Sequence, residues 1–134
     1  MASAKTRARL LLGLSALLAL AFLASGGSKL ANSTSASGLP FDQQFVAWGY
    51  PAWARILVGA AEVAGAIALL VPATRFYAAS GLTLLMLGAI VTHLRVGEAA
   101  YAPFPLALGL LTALVAWTSR PERLPFTDSQ PAAE

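Results

Sequence analysis

The sequence contains no cysteine, a single histidine and only six acidic residues. Without cysteine the chain can supply no disulfide, no thiolate metal site and no iron-sulfur cluster, and the redox state of its compartment leaves no mark on it. With one histidine, haem ligation by two imidazoles of the same chain is excluded, and too few nitrogen or carboxylate ligands accompany it for a metal centre. Charge is scarce altogether: 11% of residues are Asp, Glu, Lys or Arg against 57% hydrophobic, far from the balance of a soluble domain. A water-soluble chain of 134 residues could not hide that much apolar surface, and the mean hydropathy of +0.69 says the same. The net charge of +3 comes from basic residues placed singly at the ends of apolar runs, which argues against nucleic acid as a partner.

What the chain does have is apolar runs of membrane-spanning length. They predict an all-α fold, an integral membrane four-helix antiparallel bundle, with spans at about 10–30, 53–71, 76–94 and 104–118. A basic segment, 1–9, precedes them, and a polar tail, 119–134, expected to be disordered, follows. The first run follows Lys5, Arg7 and Arg9 and ends near Ser25-Gly26-Gly27-Ser28-Lys29, so a cleavable signal peptide competes with a first span. The length of the run to Leu30 favours the span. Between the first two spans, Phe41, Phe45 and Trp48 recur at helical spacing after Pro40, with Asp42 as a cap and Gly49 as a stop. They predict a short amphipathic helix at the membrane interface, with Tyr50 and Trp53 adding to its aromatic belt.

Pro72-Ala73-Thr74-Arg75 leaves room only for a tight antiparallel turn between the second and third spans. Lys5, Arg7, Arg9, Arg75, Arg120 and Arg123 fall on one side, against Lys29, Arg55 and Arg95 on the other. That bias puts both termini of a multi-pass protein on the cytoplasmic side of its membrane. Small residues crowd the second span, Ala61 and Gly65 forming a small-xxx-small pair, and Gly81 and Gly88 repeat one heptad apart on the third; both patterns predict close helix packing.

Several local patterns carry a resemblance: Gly26 to Leu30 closing the first helix, Trp48-Gly49-Tyr50-Pro51 before the second, and Gly59-Ala60-Ala61-Glu62 within it. Leu69-Leu70-Val71-Pro72 with Arg75, and Gly88-Ala89 to Thr92-His93, complete the order. Over residues 8 to 120 the sequence resembles the DoxX family, in its DoxX-like branch of short bacterial four-helix membrane proteins. That family takes its name from a subunit associated with thiosulfate:quinone oxidoreductase, and some relatives are linked to membrane redox complexes. The resemblance therefore implies an accessory subunit rather than a self-sufficient enzyme, with membrane oxidoreductase subunits or further copies of itself as partners and a quinone as the implied cofactor, although no cofactor motif is evident in the chain.

Glu62 lies mid-span, where a carboxylate must face the interior and find a partner. Its readings are a proton acceptor or ligand anchor on one side and an interhelical hydrogen bond on the other. His93, at the outer end of the third span, can exchange a proton or donate to a quinone-like carbonyl, or can merely cap its helix. Lys29, Arg55 and Arg95 share that outer side. Each alone reads as an interfacial anchor; together with Glu62 and His93 they predict one polar pocket opening outward. Glu98 reads as a solvated loop residue. A small-solute transporter using Glu62 and a non-catalytic membrane scaffold are the alternative functions.

Overall fold

A computed structural model describes residues 2–122 of the chain. It contains five α-helices: α1, Ala4–Leu30; α2, Phe41–Ala47; α3, Ala54–Leu69; α4, Arg75–Arg95; and α5, Pro103–Ser119. A 3-10 turn, Ala99–Tyr101, leads into α5. No strand occurs among the described residues; one isolated bridge, Thr34 to Pro40, closes the loop between α1 and α2. Of the tail expected at 119–134, the part from 123 onward lies outside the described residues.

α1 begins earlier than the first apolar run because Ser3 caps it, its side chain accepting from the Thr6 N–H at 3.2 Å, so Lys5, Arg7 and Arg9 become its first turns. α2 stops where Trp48 hands over to Gly49, whose φ of 90° suits glycine. Asp42 does not cap α2 as the sequence suggests. Pro40 occupies the cap position, and the Asp42 N–H is accepted by Asn32 Oδ1 at 2.8 Å from across the loop.

Three stretches, Ala4–Leu30, Arg75–Arg95 and Ala99–Ser119, are long and apolar enough to cross a membrane. α3 has 16 residues, roughly 24 Å of helix, short of a full hydrocarbon core of about 30 Å. The large apolar side chains sort in the manner of a protein solvated by lipid. Leu17 and Leu20 on α1, Leu57 and Ile67 on α3, Leu87 and Val91 on α4, and Leu110 and Trp117 on α5 are all exposed. The core is a thinner column of Leu18, Phe22, Ala66, Leu69, Ala79, Leu82, Met86 and Val115.

α1 packs most extensively against α3 and α4 against α5, while smaller contacts join α3 to α4 and α1 to α5. The α1–α3 contact is made by glycine backbones: a Cβ on Gly26 would stand 2.6 Å from the Gly59 carbonyl oxygen, and one on Gly59 would stand 2.8 Å from that of Gly26. Such an approach suits helices that associate by van der Waals contact and not by expelling water. The other small residues behave differently from their sequence pairing. Gly65 seats Leu82 of α4, whose Cδ2 would lie 2.8 Å from an added Cβ, while its supposed partner Ala61 is exposed. Gly81 and Gly88 have nothing within 4 Å of an added Cβ, so the heptad pair joins no neighbouring helix among the described residues.

Gly26→Ala is expected to cost about 1–3 kcal/mol of stability, since the intruding methyl meets backbone that cannot rotate away. Gly27→Ala, where a Cβ meets nothing within 4 Å, is expected to be neutral or slightly stabilising. Thermal denaturation in mild detergent measures both.

Candidate functional site

The glycine contact sets the geometry of Glu62, the one acid of α3. Ser25, Gly26 and Lys29 lie on the α1 face that meets α3, and Gly59 and Glu62 answer them one turn apart. Glu62 is 1% exposed. Lys29 Nζ stands 3.0 Å from Glu62 Oε2 and 3.3 Å from Oε1, and the Ser25 hydroxyl donates to the same carboxylate at 3.2 Å. Lys29 also donates to Ser25 Oγ at 2.8 Å, closing a triangle of three side chains. The ammonium lies 5.2 Å from the centre of the Phe41 ring, so α2 roofs it with an aromatic face. A buried ion pair offsets its desolvation only when further hydrogen bonds complete it, and Ser25 supplies them.

A second cluster forms beyond α4. Glu98, which the sequence suggests is merely solvated, is gathered in instead: its Oε2 accepts from Trp48 Nε1 at 3.0 Å and from His93 Nδ1 at 3.0 Å. A carboxylate of this kind accepts only, so the imidazole hydrogen sits on Nδ1 and Nε2 remains as the acceptor of the neutral ring. His93 is boxed by Trp48 and Tyr101, whose ring centres lie 5.3 and 5.9 Å away.

Both clusters border one cavity of about 520 Å³. Ser25, Lys29 and Glu62 line one wall, Thr92, His93 and Glu98 another, and Phe41, Phe45, Trp48, Tyr50, Tyr101 and Phe104 contribute aromatic surface. Gln44, which sequence reasoning missed, is buried at the roof, where its side-chain oxygen accepts from the hydroxyls of Ser35 and Ser37. Its only signal was a polar residue on the apolar side of an amphipathic helix.

Of the five pocket residues expected from sequence, Lys29, Glu62 and His93 line the cavity, whereas Arg55 and Arg95 do not. Arg55 Nη1 donates to the carbonyls of Lys29 at 2.6 Å and Leu30 at 3.1 Å, and Arg95 Nη2 donates to that of Trp48 at 2.6 Å. Each guanidinium thus caps the C-terminal end of a neighbouring helix, where unpaired carbonyls and the negative end of the dipole attract a cation. Among the described residues no group of three or more His, Cys, Asp and Glu side chains could hold a metal ion.

The family model described as the DoxX-like family matches residues 13–115, from inside α1 to inside α5. The chain belongs to the DoxX-like family. The match contains every residue of both polar clusters and of the glycine contact. With three helices of spanning length, this DoxX-like chain is a membrane protein. No curated protein and no solved structure matches it.

Lys29→Met should destabilise this DoxX-like protein more than Lys29→Met combined with Glu62→Gln, because the single change leaves a buried carboxylate without its counter-charge. A coupling of about 2 kcal/mol between the two positions is expected. A double-mutant cycle of melting curves in detergent reads it directly.

Proposed function

We propose that this DoxX-like protein binds a small membrane-soluble ligand of the quinone class in the cavity beneath α2 and serves as an accessory subunit of a membrane redox complex. The carrying observation is the cavity itself, with the Lys29–Glu62 ion pair on one wall and an oriented imidazole on the other. A ring bearing carbonyls needs a donor set into an otherwise apolar, aromatic enclosure, and the Lys29 ammonium, with three N–H groups, is a donor of that kind. Pairing with Glu62 holds the ammonium in place without leaving the cavity strongly charged, which suits a neutral ligand.

In this reading α1, α3, α4 and α5 form a four-helix antiparallel bundle in the bacterial inner membrane, both termini are cytoplasmic, and α2 rests in the outer interface. The positive-inside bias of Lys5, Arg7, Arg9 and Arg75 supports that orientation. Apart from Glu62, Leu84 and Leu85, which sit at the middle of their helices, the helical residues bordering the cavity belong to the half of each helix nearer α2. Towards the other side the helices close on Leu18, Phe22, Ala66, Leu69 and Val115. A cavity closed at one end favours ligand binding over the alternative of a solute pathway that uses Glu62.

Purification in mild detergent, followed by solvent extraction and mass spectrometry, is expected to find bound quinone and a co-purifying oxidoreductase, and repeated absence of both would remove the proposal. Glu62→Gln should keep the fold, because the amide has the same shape and can still accept from Ser25 and Lys29, but should lower quinone retention. Retention unchanged in that variant would restrict Glu62 to packing. For the topology, the cysteine-free chain permits single-site labelling. Ser37→Cys should react with an impermeant maleimide on intact spheroplasts and Ala2→Cys only after they are opened; equal labelling of both would overturn the orientation.

A further inference from the structure

The outer surface between α3 and α4 carries a second concavity, a groove of about 460 Å³ bordered by Ala61 and Gly65 of α3 and by Ala78, Gly81, Leu84 and Leu85 of α4. It contains no charged side chain, and its floor is low because the residues along it are small. Leu84 and Leu85 border both this groove and the central cavity. The two spaces are therefore neighbours across a pair of leucine side chains, one of which, Leu84, is 70% exposed and not locked into the core. Leucine side chains of that kind exchange rotamers readily. The cavity holds the charged groups, whereas the groove is lined by small and apolar residues with Tyr77 as its one hydroxyl.

We infer that the site takes an amphiphile with two distinct parts: a hydrogen-bonding head seated beside Lys29, Ser25 and Glu62, and a single flexible apolar chain that passes Leu84 and lies in the α3–α4 groove. This rests on the reading of the cavity as a ligand site and adds to it the shape of the ligand and its route, which is sideways from the bilayer and not through the α2 roof. At the roof the loop between α1 and α2 lies over the cavity, held by the hydrogen bonds from Ser35 and Ser37 to Gln44 and by the Asp42 N–H to Asn32. Chain and groove gain little from the hydrophobic effect, since lipid tails are as apolar as the groove. The groove contributes close contact and a fixed direction for the chain.

Gly81 provides the test, because an added side chain there meets nothing within 4 Å and projects into the groove without disturbing the cavity. Two probes are titrated into the protein in lipid nanodiscs: a methyl-substituted benzoquinone, and the same ring carrying a decyl chain with a diazirine near its end. For the native chain, the decyl probe should bind about fivefold more tightly than the short one at equal concentration in the lipid, and photolysis should label residues of α3 and α4 bordering the groove. Gly81→Phe should abolish most of that preference and the labelling while leaving the short probe unaffected. Gly13→Phe, equally unobstructed on α1, should change neither. Persistence of the preference in Gly81→Phe, or labelling confined to α1, α2 or α5, would overturn the inference while the cavity reading stands. A Gly81→Phe chain that keeps the preference but changes its oligomeric state would assign the groove to a second copy. Binding of neither probe to the native protein would overturn the cavity reading and this one together.

Discussion

The contact between Gly26 and Gly59 governs the rest of the structure. Two helix backbones that touch through carbonyl oxygens and absent side chains lie closer than any pair bearing larger residues, and the closeness propagates to the next turn on each side. Ser25 and Lys29 flank Gly26 on α1, and Glu62 follows Gly59 by one turn on α3. At an ordinary interhelical distance the lysine would have to stretch towards the carboxylate, and the serine would fall short of it altogether. The ion pair is thus a consequence of packing, and packing in lipid depends on shape because no water is released to drive it.

The same economy appears at the helix ends. Arg55, Arg75 and Arg95 all direct guanidinium groups at carbonyls that terminate a helix: those of α1, of α3 and of α2 respectively. Arg75 is buried while doing so, with Nε 2.8 Å from the Leu69 oxygen. Backbone acceptors near the membrane cannot rely on bulk water, and a fork of five donors is well suited to serve several of them. Lysine lacks that fork, which accounts for Lys29 alone among the cations of this side joining a carboxylate in the interior.

How much of this was legible in the sequence varies with the range of the interaction. Glu62 could be placed facing inward with a polar partner because a mid-helix carboxylate has no tolerable alternative, and Lys29 was within reach on the expected side. His93 was recognised by its isolation. Arg55 and Arg95 were assigned to the pocket by their position near helix ends, but which end adjoins which carbonyls depends on how the loops fold, and no periodicity records that. Glu98 was invisible for a related reason: Gly97, with a φ of 78°, turns the chain so that the acid returns to His93 and meets Trp48, fifty residues distant in sequence. The glycines show the limit most clearly. Gly26 and Gly59 leave less room for a side chain, backbone against backbone, than any other described glycine, while Gly81 and Gly88, with a more regular spacing, touch no neighbouring helix; spacing reveals which residues share a face but not what that face meets.

The lengths of the helices also bear on the surrounding membrane. α1 runs for 27 residues and α3 for 16, so two helices locked side by side by their glycines differ by roughly 16 Å in length, part of it the basic first turns of α1. For both to cross one bilayer, lipid beside α3 must thin or its headgroups must sink towards the guanidinium groups of Arg55 and Arg75, while α1 tilts or projects. If α3 spans with the others, the consequence is a one-sided dent in the membrane, on the flank where α3 meets α4. Other membrane proteins with short spans would experience less mismatch beside that flank than elsewhere, a bias in lateral organisation that arises from helix length without any specific contact.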